Sequence, residues 1–288
     1  MVFSNLTNTT TGLDFIPGGV TAVLSRRVIE EARAMAIVAP LVTHYSLVGK
    51  EGYELSVPKW PELAATSVSE GTDLANTSVT PTNAELTAAE AGIMLTITDL
   101  LSKSDIIGEV TTNGQWAQAC GRAIQDHVEK ALTALFPSFD SEVGTSGTDI
   151  TLANYLAAIY YLDAYNARGS RSCILHPVQY MHLRTALADA SGVIYGGKEE
   201  FSRTGQVDRL FGVDVYQTTN VQTGDTSQDY AGGMFVREAL GMLTKWPARV
   251  ELQRDASLRA TEVVATICYG VSEMVGTFGV AIETDATA

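Results

Sequence analysis

Apolar positions recur along this chain with either a helical or a strand period, and the two alternate from one segment to the next. Val20, Leu24, Val28, Ala32, Met35 and Ala36 repeat at three- and four-residue steps, while Arg26, Arg27, Glu30, Glu31 and Arg33 take the other side. This spacing predicts an amphipathic helix that Pro40 ends. Residues 1–19 before it are polar, rich in Thr and Asn, and close on Pro17-Gly18-Gly19. They read as an extended arm. A short helix on such an arm has little chain of its own to pack against, so it is expected to lean on something else.

Residues 50–59 alternate, with Tyr53, Leu55 and Val57 on one face and Pro58 as a stop, which predicts a strand. Ile93, Leu95 and Ile97 form a second alternating run. Roughly thirty residues of Ala, Thr, Ser, Asn and acids separate them. Structureless loops that long are uncommon inside a compact domain. The two runs therefore read as one projecting hairpin with an irregular tip.

The strongest helical stripe is Trp116, Cys120, Ile124, Val128, Leu132 and Leu135, with Asn113 as cap and Phe136-Pro137 as stop. At 1.5 Å per residue it spans about 35 Å, enough to cross a whole domain. A polar linker follows over 138–147. Residues 148–228 read as α/β: a helix over 152–167, a buried strand over 172–175, and a helix from Pro177 to about Asp189. A Gly-rich loop over 190–208 and a strand over 211–217 complete it. The last sixty residues read as β, with strands over 234–236, 241–245, 249–253 and 262–269, a turn at 254–257, and a final apolar strand over 275–282. The fold class is α+β.

The length of 288 residues and an apolar fraction of 45% allow a real core and exclude a wholly disordered chain. Lys+Arg is 19 against Asp+Glu 33, a formal charge of -14. Nucleic-acid binders need surplus cations to displace counterions, and anionic membranes attract basic surfaces, so both roles are disfavoured. No run of 18 apolar residues predicts a membrane span, and the first basic residue, Arg26, leaves no charged start to a signal peptide. Cys120, Cys173 and Cys268 are odd in number and far apart, which suits buried, reduced thiols in a cytosol-like compartment.

Catalytic patterns are weak. Gly192 to Lys198 has phosphate-loop spacing, but Glu199 stands where a magnesium-holding hydroxyl belongs, and the segment follows a helix. Cys173, His176 and His182 could be imagined as nucleophile and base, yet Cys173 falls in a buried strand and His176-Pro177 opens a helix. No metal-ligand spacing, hydrolase elbow or acid–base pair stands out, so no catalytic residue, cofactor or metal is expected, and the chain reads as not an enzyme.

Four segments carry a resemblance: Tyr53 to Trp60 (YELSVPKW), Glu70 to Asp73 (EGTD), Gly92 to Asp99 (GIMLTITD) and Ile174 to Leu183 (ILHPVQYMHL). Together with the order of arm, acidic hairpin, long helix, α/β block and β block, they resemble the Hong Kong 97-type fold of tailed-phage major capsid proteins. The resemblance covers nearly the whole chain. It implies an N-terminal arm with a helix at 1–48, an extended hairpin loop at 49–98, and the spine helix of a peripheral domain at 99–147. It further implies an axial domain at 148–228, peripheral strands at 229–272, and a C-terminal strand at 273–288 returning to the axial domain.

The same resemblance implies hexamers and pentamers of an icosahedral shell around double-stranded DNA, formed in the host cytoplasm and ending as a virion capsid. Its partners would be itself, a separate scaffold protein, a portal protein, a possible cementing protein, and packaged DNA held without specific binding. The arm begins within twenty residues of Met1, so no long fused scaffold is expected here. The Lys–Asn cross-linking of some members finds no match.

Charge adds an independent expectation. Residues 60–102 contain no Lys or Arg but carry Glu62, Glu70, Asp73, Glu85, Glu90 and Asp99. Arg237, Lys245, Arg249, Arg254 and Arg259 form a basic run in an acidic chain. Glu62, Glu70, Asp73 and Glu85 of one subunit are expected to lie on Lys245, Arg249, Arg254 and Arg259 of the next. Two other readings stay open: a nanocompartment shell enclosing an enzyme cargo, and a soluble α/β enzyme with a hairpin lid. Particle contents separate the first, and a small oligomeric state stabilised by substrate would mark the second.

Overall fold

A computed structural model describes residues 36–61, 63–71, 73, 76, 78–100, 115–189, 209–224 and 229–285. The strands in chain order are β1 (Thr43–Ser46), β2 (Glu54–Lys59), β3 (Thr82–Thr87) and β4 (Ala89–Thr98). After helix α1 (Gln115–Thr133) come β5 (Ser141–Gly144), α2 (Leu152–Ala164), β6 (Arg171–Leu175) and α3 (Pro177–Asp189). The chain ends in β7 (Arg209–Leu210), β8 (Val213–Gln217), β9 (Asp229–Val236), β10 (Leu240–Asp255), β11 (Ala260–Glu273) and β12 (Gly279–Asp285). The helix expected over 20–36 and the phosphate-loop look-alike at 192–198 lie outside the described residues.

These strands make three sheets: β1-β10-β11-β4, β5-β12-β9-β6-β8-β7, and the isolated pair β2-β3. Helix α1 forms where the apolar stripe predicts it, and Pro137 turns its end into a 3-10 turn at Phe136–Ser138. Its first half packs Cys120 and Ile124 on Val250, Val263 and Ala265 of the four-stranded sheet. Its second half packs Val128 and Leu132 with Phe136, Phe139, Ile174 and Phe235, against the six-stranded sheet. One helix thus closes two cores. On the other face of the six-stranded sheet, Tyr155, Ala158 and Leu162 of α2 and Leu183 and Leu187 of α3 form a third cluster with Cys173, Val213 and Ile282. Aromatic packing under that sheet is tight: a Cβ on Gly233 would come within 2.8 Å of the Phe136 ring.

Three sequence expectations need correction. The hairpin pairs β2 with β3, Glu54 opposite Thr87 and Lys59 opposite Thr82, rather than with the Ile93 run. β4, which carries that run, pairs instead with β11, from Ala89 opposite Tyr269 to Thr98 opposite Ala260. β3 was hidden because Thr82–Thr87 holds only one large apolar residue, Leu86. Second, β9 lies in the six-stranded sheet between β12 and β6, so 229–236 belongs with the block read as axial rather than with the peripheral strands. Third, the separate strands expected over 241–245 and 249–253 are one long strand, β10, whose register slips around Pro247. Pro lacks the N–H that the ladder needs, so a slip there keeps the strand continuous.

Glu129 fixes the start of the described chain. Its carboxylate is buried in α1 and accepts hydrogen bonds from Ile37 N (3.1 Å), Val38 N (2.9 Å) and Ala39 N (3.2 Å), and from Gln125 Nε2 (2.8 Å). Among the described residues, hydrogen-bond donors rather than a cation surround this buried carboxylate. Hydrogen bonds to a charged group contribute about 1.5–3 kcal/mol, and buried N–H groups left without an acceptor are costly. Glu129→Ala is expected to cost about 2–4 kcal/mol of stability, and Glu129→Gln, which keeps one acceptor oxygen, less. Urea denaturation of the three proteins measures both values.

Candidate contact surfaces

The β2-β3 hairpin is rooted in one small core. Ala84, Leu86 and Ala88 pack with Leu47, Leu243, Cys268 and Met274, all buried. The root is held by close backbone approach at Gly270, where a Cβ would fall 2.2 Å from the Thr87 carbonyl oxygen. Ala88 N donates to Tyr53 O (2.8 Å), closing the hairpin base. Beyond Lys59 and before Thr82 the described chain has no strand, and its large apolar residues face solvent. Trp60 is 72% exposed, Leu63 64% and Val68 49%. A groove of about 630 Å³ lies between the hairpin and the body, lined by Val57, Trp60, Tyr165, Met274 and Phe278. The projection therefore offers apolar side chains that its own fold does not cover.

The expected acidic contacts sit on this projection. Glu70 and Asp73 are exposed in its irregular tip, and Glu85 is exposed on β3 opposite Ser56. Glu62 lies outside the described residues. The expected basic contacts are less free than the sequence suggests. Arg254 makes two hydrogen bonds to the Asp99 carboxylate, from Nη1 (2.7 Å) and Nη2 (2.6 Å). Its guanidinium is held above its ordinary pKa by that hydrogen bonding. Arg249 donates to Thr266 Oγ1 (3.2 Å), approaches Glu251 (3.6 Å) and Glu90 (3.9 Å), and lies 5.1 Å over the Trp246 ring. Lys245 donates to Lys50 O and sits 5.5 Å over Tyr53. Arg237 Nε donates to Val42 O (3.2 Å). Arg259 is exposed at the β10–β11 turn with φ +50. The structure brings Arg249 and Arg254 to acids of the same chain, Glu90 and Asp99, which the pairing of β4 with β11 delivers.

The residues that could have suggested catalysis have structural duties. Cys173 is fully buried, and burial pushes its thiol well above the ordinary range. His176 precedes α3: its Nδ1 accepts from Val178 N (3.4 Å), and its ring stacks on Tyr230 at 3.5 Å. Burial lowers its pKa, which favours the neutral, accepting ring. Gln179 Oε1 accepts from His176 N (3.1 Å), a helix-start device. Its Nε2 reaches Tyr230 O, Ile282 O and Thr284 Oγ1, tying α3 to β9 and β12. His127 Nδ1 lies 2.6 Å from Tyr269 Oη. Sequence reasoning missed Trp60, Leu63 and Phe211 as exposed aromatic and apolar contacts. Exposure was not readable there, although Phe211-Gly212 between Leu210 and Val213 is a turn signal.

The root contact at Gly270 gives a direct test. Gly270→Ala drives a methyl into backbone rather than a flexible side chain and is expected to cost about 2–4 kcal/mol. The hairpin should also become the first site of limited proteolysis. Thermal unfolding and mapping of the first cut measure both effects.

No protein-family model matches this sequence, and no curated protein matches it. Solved structures do match. A structure from Mycobacterium phage Che8 aligns with a TM-score of 0.70 at 17% identity, covering 86% of this chain and 91% of that one. The acid-stable capsid of Helicobacter pylori bacteriophage KHP30 gives 0.68 at 10% identity, with 87% and 91% covered. A virus-like particle from Pyrococcus furiosus gives 0.60 at 11% identity, with 91% and 99% covered. The alignments run along almost the whole of each chain, and the chain has the Hong Kong 97-type fold of tailed-phage major capsid proteins.

Proposed function

We propose that this chain is a major capsid protein whose copies assemble into hexamers and pentamers of an icosahedral shell around double-stranded DNA. The observation that carries the reading is the capsid fold over nearly the entire chain. The hairpin supports it, because Trp60, Leu63 and Val68 stand on a projection with no core of its own. Ordering such a segment costs conformational entropy that only contacts elsewhere can offset. Another copy of the chain supplies them. The role is structural, and it uses Cys173 and His176 for packing and capping rather than chemistry.

In this reading residues 1–48 are the arm and the projecting loop runs from 49 to about 88. β4, α1, β10 and β11 form the peripheral part, and residues 141–236 with β12 form the axial part. The partners are a separate scaffold protein, a portal protein and a cementing protein, besides the DNA. The charge of -14 suits a container that must not grip its cargo. Glu70 and Asp73 of one subunit approach the basic turn of the next. Arg259 is the most open cation there, since Arg249 and Arg254 already share acids of their own chain. A matching structure described as a virus-like particle from Pyrococcus furiosus keeps open one alternative, a shell that is not a phage virion.

Electron microscopy of the purified chain at low and moderate salt tests the reading, with shells, rings or tubes expected. Nucleic-acid analysis of closed particles then decides between DNA and protein cargo. A chain that remains monomeric with every candidate scaffold overturns the proposal. The charged contact has its own test. Glu70→Lys with Asp73→Lys is expected to leave subunit stability unchanged and to raise the concentration for half-assembly about three- to tenfold at low salt, with the difference shrinking as salt screens it.

A further inference from the structure

An open strand edge is a recognition site, because its row of unpaired N–H and C=O groups accepts another strand. Most outer strands of this fold are poorly suited to that role. β1 and β5 have four residues each, and β7 has two. β2 has six, but Pro58 removes a donor from it, and Pro is tolerated in a strand where its nitrogen faces away from the ladder. β3 also has six, and Ala84 and Leu86 hold it on its own body through Leu243, Cys268 and Met274. β4 differs from all of these. It runs for ten residues without Pro, Lys or Arg. β11 pairs with one side of it, and among the described residues no strand pairs with the other. Its register with β11 is unbroken from Ala89 to Thr98, so no bulge twists the edge away.

The side chains of β4 restrict what can complete it. Ile93, Leu95 and Ile97 lie on the side that packs with Cys120 and Ile124 of α1, and they are only partly buried, because the core they flank stops at the edge. The opposite side carries Met94, 58% exposed, between Gly92 and Thr96. A strand that continues the sheet must bring a half-covered apolar row to the first side and uncharged residues to the middle of the second. Among the described outer strands, β4 itself has that length and pattern. Two copies of β4 laid antiparallel about a two-fold axis through Met94 place Ile93 of one opposite Leu95 of the other, and Ala91 opposite Ile97. Opposed residues of an antiparallel pair point to the same face, so the two apolar rows join. Met94 meets Met94. The two Glu90 carboxylates fall at opposite ends, and like charges do not face each other. An isologous contact closes on itself. A closed icosahedral shell has two-fold axes on which to place it.

We propose that β4 of one copy pairs with β4 of a second copy across a two-fold axis at Met94, joining their four-stranded sheets into one continuous sheet. The inference rests on the shell-subunit reading and specifies one of its contacts. The pairing gives partners to the open backbone groups of both edges and covers Ile93 and Leu95 further.

Charge at position 94 separates this contact from any other. Met94 is exposed, so Met94→Lys and Met94→Glu should each leave the melting temperature of the unassembled subunit within about 2 °C of the parent. Each variant alone should raise the concentration for half-assembly about two- to fivefold at low salt, because identical charges then face each other across the axis. An equimolar mixture should assemble at a lower concentration than either variant alone, since Lys then faces Glu. Contact of Met94 with any other surface predicts a mixture midway between the two variants, and that result overturns the pairing. So does unchanged assembly of both variants. Cross-linking gives a second readout, because Cys120, Cys173 and Cys268 are buried. In assembled particles a short bifunctional maleimide should join two copies of Met94→Cys. It should not join copies of Glu251→Cys, which lies two strands inward and about 24 Å from its counterpart at five strand spacings. Equal joining of the two variants, or none at Met94→Cys, overturns the contact while leaving the shell reading intact. A parent chain that forms no particle with any candidate scaffold overturns the shell reading and this contact with it.

Discussion

Everything in this molecule hangs on one helix having to complete two cores at once. α1 gives Cys120 and Ile124 to the four-stranded sheet, then Val128 and Leu132 to the aromatic cluster under the six-stranded one. Neither sheet has another helix on the face that α1 covers among the described residues. The angle between the sheets is therefore set by a single rigid rod, about 28 Å over its 19 described residues. The polar groups on that rod serve the same purpose. Glu129 ties the incoming chain at 37–39, and Thr133 Oγ1 bonds Asn220 O (2.7 Å) across from the six-stranded sheet.

Against this rigid body stand the segments that the body cannot finish. The hairpin is well rooted by Leu86 and Gly270, yet it leads to a tip where Trp60, Leu63 and Val68 are largely exposed. What is packed sets the geometry, and the exposed apolar side chains of the tip are what the proposed contacts with another copy would cover. Charge follows the same division. Cations near the body, Arg249 and Arg254, are neutralised by Glu90 and Asp99 of the same chain, while Glu70 and Asp73 at the tip are exposed.

Residues with chemical potential are spent on holding elements together. Gln179 joins a helix to two strands, and Asp229 accepts from Ser146 Oγ (2.5 Å) and Gly147 N (2.9 Å), pinning the loop after β5 to β9. Hydrogen-bonded polar groups of this kind fix one arrangement of the elements.

Helical elements and the buried strands were legible in the sequence, since α1, α2, α3 and β6 follow from apolar spacing and from Pro137 and Pro177 acting on the local backbone. The resemblance to a capsid fold was legible in the order of parts. Strand partners were not. β3 has too few apolar residues to announce itself, and β9 reads the same whether it joins one sheet or the other. Pairing depends on which edges packing brings together, and sequence spacing does not encode distant register. The basic run at 245–259 was visible as charge, but its neutralisation was decided only when β4 came to lie beside β11. The positive φ of +50 at Phe211 likewise belongs to the folded turn between β7 and β8. By itself the sequence determined the local conformations, the acidic balance and the segments too poor in core to stand alone. Only the tertiary structure decided which charges are already paired and which aromatic rings remain exposed, because both depend on contacts between residues far apart in the chain.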